Sequence, residues 1–103
     1  MPYEPSDINL RLSAQGALLG HIPPNLRSVS LEYKDRKIVF QCVYDGEPTE
    51  DEKELLSMAG TEIVSDFHDY MDEFVEKHLA IKFPEKVSFL KNLVYERHEH
   101  NYY

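Results

Sequence analysis

Five histidines, one cysteine and nineteen carboxylates are the groups in this 103-residue chain that could carry chemistry. Four of the histidines, His68, His78, His98 and His100, fall in the second half. On a strand, His98-x-His100 would present both imidazoles to one face, half of a zinc site that His68 or Asp69 could extend. Two ligands do not fix a metal, and a solvated tail accounts for the same residues, so no metal and no other cofactor is expected. Cys42 is the only cysteine, which rules out an internal disulfide. Its neighbours Phe40, Gln41, Val43 and Tyr44 have strand character, so it reads as a small buried hydrophobe rather than a nucleophile. His21, just after the first predicted helix, suits a contact with that helix's free carbonyls. The sequence has no phosphate-binding loop, dinucleotide fingerprint or nucleophile elbow, and no residue is assigned a catalytic role.

The carboxylates are unevenly distributed. Residues 45–76 hold twelve of the nineteen acids and one base, Lys53, so this segment carries −11 and the remainder +3, recovering the net charge of −8. A nucleic-acid binder would need a basic footprint to neutralise phosphates, and the charge balance argues against one. The helix dipole accounts for Glu50, Asp51 and Glu52 in a first turn without any partner. It does not account for Asp66, Asp69, Asp72 and Glu73, which fall at or past the helix end, where negative charge is disfavoured. Two readings stand side by side: a solvated helix face, and a surface kept acidic for a basic partner. No run of about 18 apolar residues is present, so no membrane span is expected. The start of the chain is acidic and proline-bearing, unlike a secretory signal, and a cytoplasmic location is expected.

The elements that must position these groups can be read from periodicity. Residues 6–20 form a helix capped by Ser6 or Asp7, with Ile8, Leu12, Gln15 and Leu19 on one stripe and Ala14, Leu18 and Ile22 beside it. Gly20 ends that helix in a left-handed turn, and Pro23-Pro24 prevents its continuation. Residues 26–34 alternate, with Val29, Leu31 and Tyr33 on one face and Ser28, Ser30 and Glu32 on the other. Residues 37–44 do the same, with Ile38, Phe40, Cys42 and Tyr44 against Val39, Gln41 and Val43. The short link Asp35-Arg36 makes a hairpin of them, though without the Asn-Gly pair that would define its turn. Thr49 then opens a second helix through a capping box with Glu52, and Leu55 or Leu56, Ala59, Ile63 and Phe67 recur at helical spacing as far as residue 67 or 68. Residues 74–83 read as a third strand, with Val75, Leu79, Ile81 and Phe83 on one face. A turn follows at Pro84-Glu85-Lys86. Residues 89–98 read as a fourth strand, though Phe89-Leu90 with Leu93-Val94 also fits a short helix. The tail, residues 98–103, is expected to fray. This predicts one α+β domain over residues 1–103, in the order α-β-β-α-β-β, as an antiparallel sheet with both helices packed on one face.

Three stretches carry a resemblance: ALLGHIPPNLRSVS at residues 17–30, YDGEPTEDEKELLS at residues 44–57 and TEIVSDF at residues 61–67. Together they resemble the small bacterial immunity proteins of contact-dependent inhibition and related polymorphic toxin systems. The likeness spans roughly residues 7–97 in layout and is sharpest over residues 45–67. It implies a cytosolic, non-enzymatic antitoxin that binds the C-terminal toxin domain of its cognate protein one-to-one, often a nuclease, over or beside the active site. The charge map is compatible with this, because a nuclease presents a basic cleft that an acidic element can occupy. On this reading the contact surface is Asp45, Glu47, Glu50, Asp51 and Glu54, then Asp66, Asp69 and Asp72, with Tyr70 and Tyr44 as aromatic anchors. Two competing readings are a homo-oligomeric module joined at an exposed strand edge and a metal-dependent hydrolase using His98, His100 and the acids.

Overall fold

The computed structural model describes residues 4–99. In chain order the elements are helix α1 (Asp7–Leu18), strands β1 (Leu26–Lys34) and β2 (Lys37–Tyr44), helix α2 (Glu50–Phe67), a single 3-10 turn (His68–Tyr70), and strands β3 (Glu73–Ala80) and β4 (Asn92–Glu96). The first four elements and their caps stand where the sequence signals place them. Ser6 caps α1 by accepting from Asn9 N, and Thr49 and Glu52 close the capping box of α2. Gly20 sits at φ 80°. In the hairpin turn Asp35 and Arg36 both have positive φ, 53° and 60°, the primed geometry whose twist matches that of the flanking strands.

The sheet is mixed, which corrects the all-antiparallel expectation. Its order is β3-β2-β1-β4, with β1 antiparallel to both β2 and β4 and with β2 parallel to β3. The cause is the length of α2. Its 18 residues rise about 27 Å, close to the span of about 26 Å of an eight-residue strand. The helix therefore returns the chain to the end where β2 began, and a strand starting there runs parallel to β2.

Both helices cover one face of this sheet. The core joins Val29, Leu31, Ile38, Phe40, Cys42 and Tyr44 to Leu10, Ala14, Ala17 and Leu18 of α1 and to Leu56, Ala59, Ile63 and Phe67 of α2. Phe74 of β3 packs on Phe40 with ring centroids 5.9 Å apart. Gly60 lets α2 approach β3, since a Cβ there would meet Glu76 Oε1 at 2.7 Å. In α1, the stripe Ile8, Leu12, Leu19 does not face the core. Those residues are 65%, 62% and 78% exposed, and a second apolar set, Leu10, Ala14, Ala17 and Leu18, takes the inward side. The helix carries two apolar faces, and only one can meet the sheet.

The opposite face of the sheet is covered by chain without regular structure. β3 and β4 lie at opposite edges, so residues 81–91 must cross β2 and β1 to join them. Gln41 Nε2 donates to Ser88 O at 2.9 Å, and Leu90 N donates to Ser30 Oγ at 3.0 Å. Ser28, Ser30 and Gln41, which alternation sets on the face away from the helices, are thereby buried. The same crossing shortens the last two predicted strands. Ile81 and Phe83 leave β3 to begin it, with the turn at Phe83-Pro84, and Phe89 and Leu90 complete it before β4 starts at Asn92.

Candidate interaction surface

Of the ten residues expected at a partner surface, all but Tyr44 fall into two groups, at opposite ends of α2 and about 27 Å apart. At the N-terminal end the capping box consumes Glu52, whose Oε1 accepts from Thr49 N at 2.7 Å and from Asn25 Nδ2 at 3.2 Å. Glu50 is exposed and pairs with Lys53 at 2.6 Å, a hydrogen bond that lowers the Glu50 pKa and raises that of Lys53. Glu47, Asp51 and Glu54 are exposed, and among the described residues none of them makes an ion pair. Asp45 is turned inward to other work. Its Oδ1 accepts from Phe83 N at 2.9 Å and its Oδ2 meets Arg97 Nη2 at 3.1 Å. The amide bond and then the arginine hold its pKa below the usual carboxylate range.

At the other end each acid has an internal partner. Asp66 Oδ2 accepts from Ser13 Oγ at 2.6 Å across the two helices. Asp69 lies 3.1 Å from His68 Nε2, and Asp72 lies 3.1 Å from Arg36 Nε. Tyr33 Oη donates to the Tyr70 carbonyl at 2.7 Å, leaving the Tyr70 ring 38% exposed. Glu73 stands opposite Lys37 in the parallel register, a cross-strand pairing of opposite charge. The acids that the helix dipole does not explain are therefore placed against the hairpin tip and α1.

Tyr44 is not available as an anchor. It is fully buried, its hydroxyl lies 2.7 Å from His78 Nδ1, and burial raises its pKa strongly. The chain of contacts continues from His78 Nε2 to Glu76 Oε2 at 2.8 Å and on to Ser57 Oγ, a half-buried polar path between sheet and helix that sequence reasoning missed. Cys42 is wholly buried, and its thiol pKa is pushed far up by that burial. Of the two tail histidines considered as metal ligands, His100 lies outside the described residues. Among those described, no group of three or more His, Cys, Asp or Glu is arranged to hold a metal.

A groove of about 560 Å³ runs between the helices, with Leu12, Ser13 and Gly16 on one wall and Glu62, Ser65 and Asp66 on the other. The helices are antiparallel, since Ser13 meets Asp66 while His21 reaches Glu62 at 3.8 Å. The surface is lined by hydroxyls, carboxylates and apolar side chains. It offers shape, charge and apolar area, the means of a binding protein.

Over residues 7–99 the chain matches the family model described as MafI2 immunity protein. The chain belongs to the MafI2 immunity protein family. No curated protein matches it. Membership bears out the resemblance drawn from residues 17–67, and for a MafI2 immunity protein it implies a toxin protein as partner. The match spans both helices and all four strands, so the surface described above belongs to the family domain. No helix of the described residues in this MafI2 immunity protein is long and apolar enough to cross a membrane.

Proposed function

We propose that this protein neutralises its cognate toxin by binding the C-terminal toxin domain one-to-one in the cytoplasm. The acidic first turns of α2 lie against a basic, substrate-gripping face, as on a nuclease, and substrate is excluded by occupancy. The observation that carries this reading is the set of exposed carboxylates Glu47, Asp51 and Glu54, which make no ion pair among the described residues. Glu50 contributes its charge from beside Lys53. The helix dipole favours Asp51 in the first turn, but gathered like charges also repel one another, and a positively charged partner relieves that repulsion. Their position also suits long-range steering, which raises association rates and fades with salt. Asp66, Asp69, Tyr70 and Asp72 form a second, more internally neutralised margin of the same helical layer.

The test is charge reversal. Asp51→Lys with Glu54→Lys should slow association with the cognate toxin domain about tenfold at low salt, with the difference shrinking as salt rises. The same variant should protect growth less well when toxin and immunity protein are coexpressed. Association rates identical to the unaltered protein at every salt concentration would remove the acidic turn from the mechanism.

A further inference from the structure

Charge accelerates encounter but seldom supplies most of the affinity, and tight interfaces are built around a desolvated apolar centre with a polar rim. The outer face of the helical layer holds such a centre. Ile8 and Leu12 lie along α1 on the side away from the sheet and Leu19 continues their line at its C-cap, at 65%, 62% and 78% exposure, and Ile22 follows at 41%. On α2, Met58 is 48% exposed in a row that also carries Asp51, Glu54, Glu62 and Ser65, opposite the buried Leu56, Ala59, Ile63 and Phe67. Scattered single apolar residues on a surface need no explanation, but a ridge repeating at helical spacing beside a groove does. We infer that the outer ridge of α1, centred on Leu12 and Leu19, is the apolar centre of the toxin-binding surface, with the α2 carboxylates as its rim.

This rests on the immunity reading above and says where the affinity resides. The rim decides which occupant fits. Glu62 and Asp66 wall the groove beside Leu12, and the chain carries −8 overall. A second copy docking ridge to ridge would bring two such acidic rims together, which repulsion opposes. A toxin domain presenting apolar side chains ringed by lysine or arginine meets both the ridge and the rim. An anionic membrane surface meets the ridge alone and is repelled by the rim.

The test uses the full chain and the catalytically silenced cognate toxin domain, with association and dissociation followed separately. Leu12→Ser with Leu19→Ser should raise the dissociation rate at least about 30-fold while leaving the association rate within about twofold. Leu12→Met with Leu19→Met, which keeps the apolar area, should retain the slow dissociation. If the unaltered protein binds the toxin and the serine variant, still folded by thermal melting, dissociates at the same rate, the ridge is not the centre and the immunity reading stands. If the unaltered protein does not bind the toxin domain, the immunity reading itself fails, and this inference with it. If the unaltered protein sediments as a dimer that the serine variant abolishes without changing toxin dissociation, the ridge belongs to a second copy and the proposal is overturned.

Discussion

The two faces of the sheet are covered in opposite ways. On one face, two helices satisfy their own backbone groups, so the layer beneath them can be almost entirely apolar and their outer sides are left for other use. On the other face, residues 81–91 cross without regular structure and their amides and carbonyls must find partners beneath them. Gln41, Ser30 and Arg27 supply these, and Arg27 Nη1 reaches Ile81 O at 2.7 Å. An ionic cluster fastens the start of the crossing, beside Ile81 and Phe83. Arg27 meets both oxygens of Glu99 at 2.7 and 2.9 Å, and Arg97 bridges Glu99 and Asp45 at 3.0 and 3.1 Å. A polar residue on the crossing face is therefore structural, whereas an apolar residue on the outer helical face is not, the reverse of the usual assignment.

The sharpest way to break this contrast is to remove the ionic fastening. Arg27 is 4% exposed, and Arg27→Ala leaves Glu99 facing Arg97 alone and the Ile81 carbonyl without its donor. A loss of about 3 kcal/mol is expected, or a melting temperature lower by more than about 10 °C for a domain of this size. A loss within experimental error would mean that the crossing is held by its apolar residues instead.

Acid titration gives a smaller effect of predictable sign. The Arg27 hydrogen bonds hold the Glu99 pKa below its ordinary 4.5, and the Phe83 amide holds Asp45 below its ordinary 3.8. A carboxylate whose pKa is depressed by folding stabilises the fold above its unfolded value, and that contribution is lost as pH falls through the lower folded value. Unfolding followed by denaturant should therefore show stability declining from about pH 4.5 downward. The gap between the unaltered protein and Arg27→Ala should narrow over the same range. A gap that stays constant down to pH 2 would show that the pair contributes through packing rather than charge.

The smallest expected change comes from the outer face. Leu12→Ser with Leu19→Ser should alter stability by no more than about 0.5 kcal/mol, because neither side chain is covered in the folded protein. A loss of several kcal/mol would place the ridge in the core and end the contrast.

Much of this architecture was legible in the residues. The bounds of β1 and β2, the Thr49 capping box and the end of α2 all follow from local causes: alternation, a hydroxyl and a carboxylate three apart, and a run of helical spacing. The acids at the start of α2 were equally plain, and so was the likeness to immunity proteins, because those features lie within a few residues of one another. Where two answers satisfy the same local rule, the residues do not choose. Helix α1 has apolar side chains on both sides, and only the sheet's position shows that Leu10 and Ala14 go in while Leu12 and Leu19 stay out. Asp45 and Tyr44 looked available because their partners, Phe83, Arg97 and His78, lie more than thirty residues away.

The sequence alone determined the elements, the charge segregation and the family, since each arises from neighbours along the chain or from composition. The tertiary structure decided the parallel pairing of β3, the crossing that buries Ser28, Ser30 and Gln41, and the division of the acids into neutralised and unneutralised ends of α2. Those outcomes depend on which edge of the sheet the chain reaches next, and on which distant cations arrive beside which carboxylates. Both are set by packing the whole layer at once rather than by any local pattern.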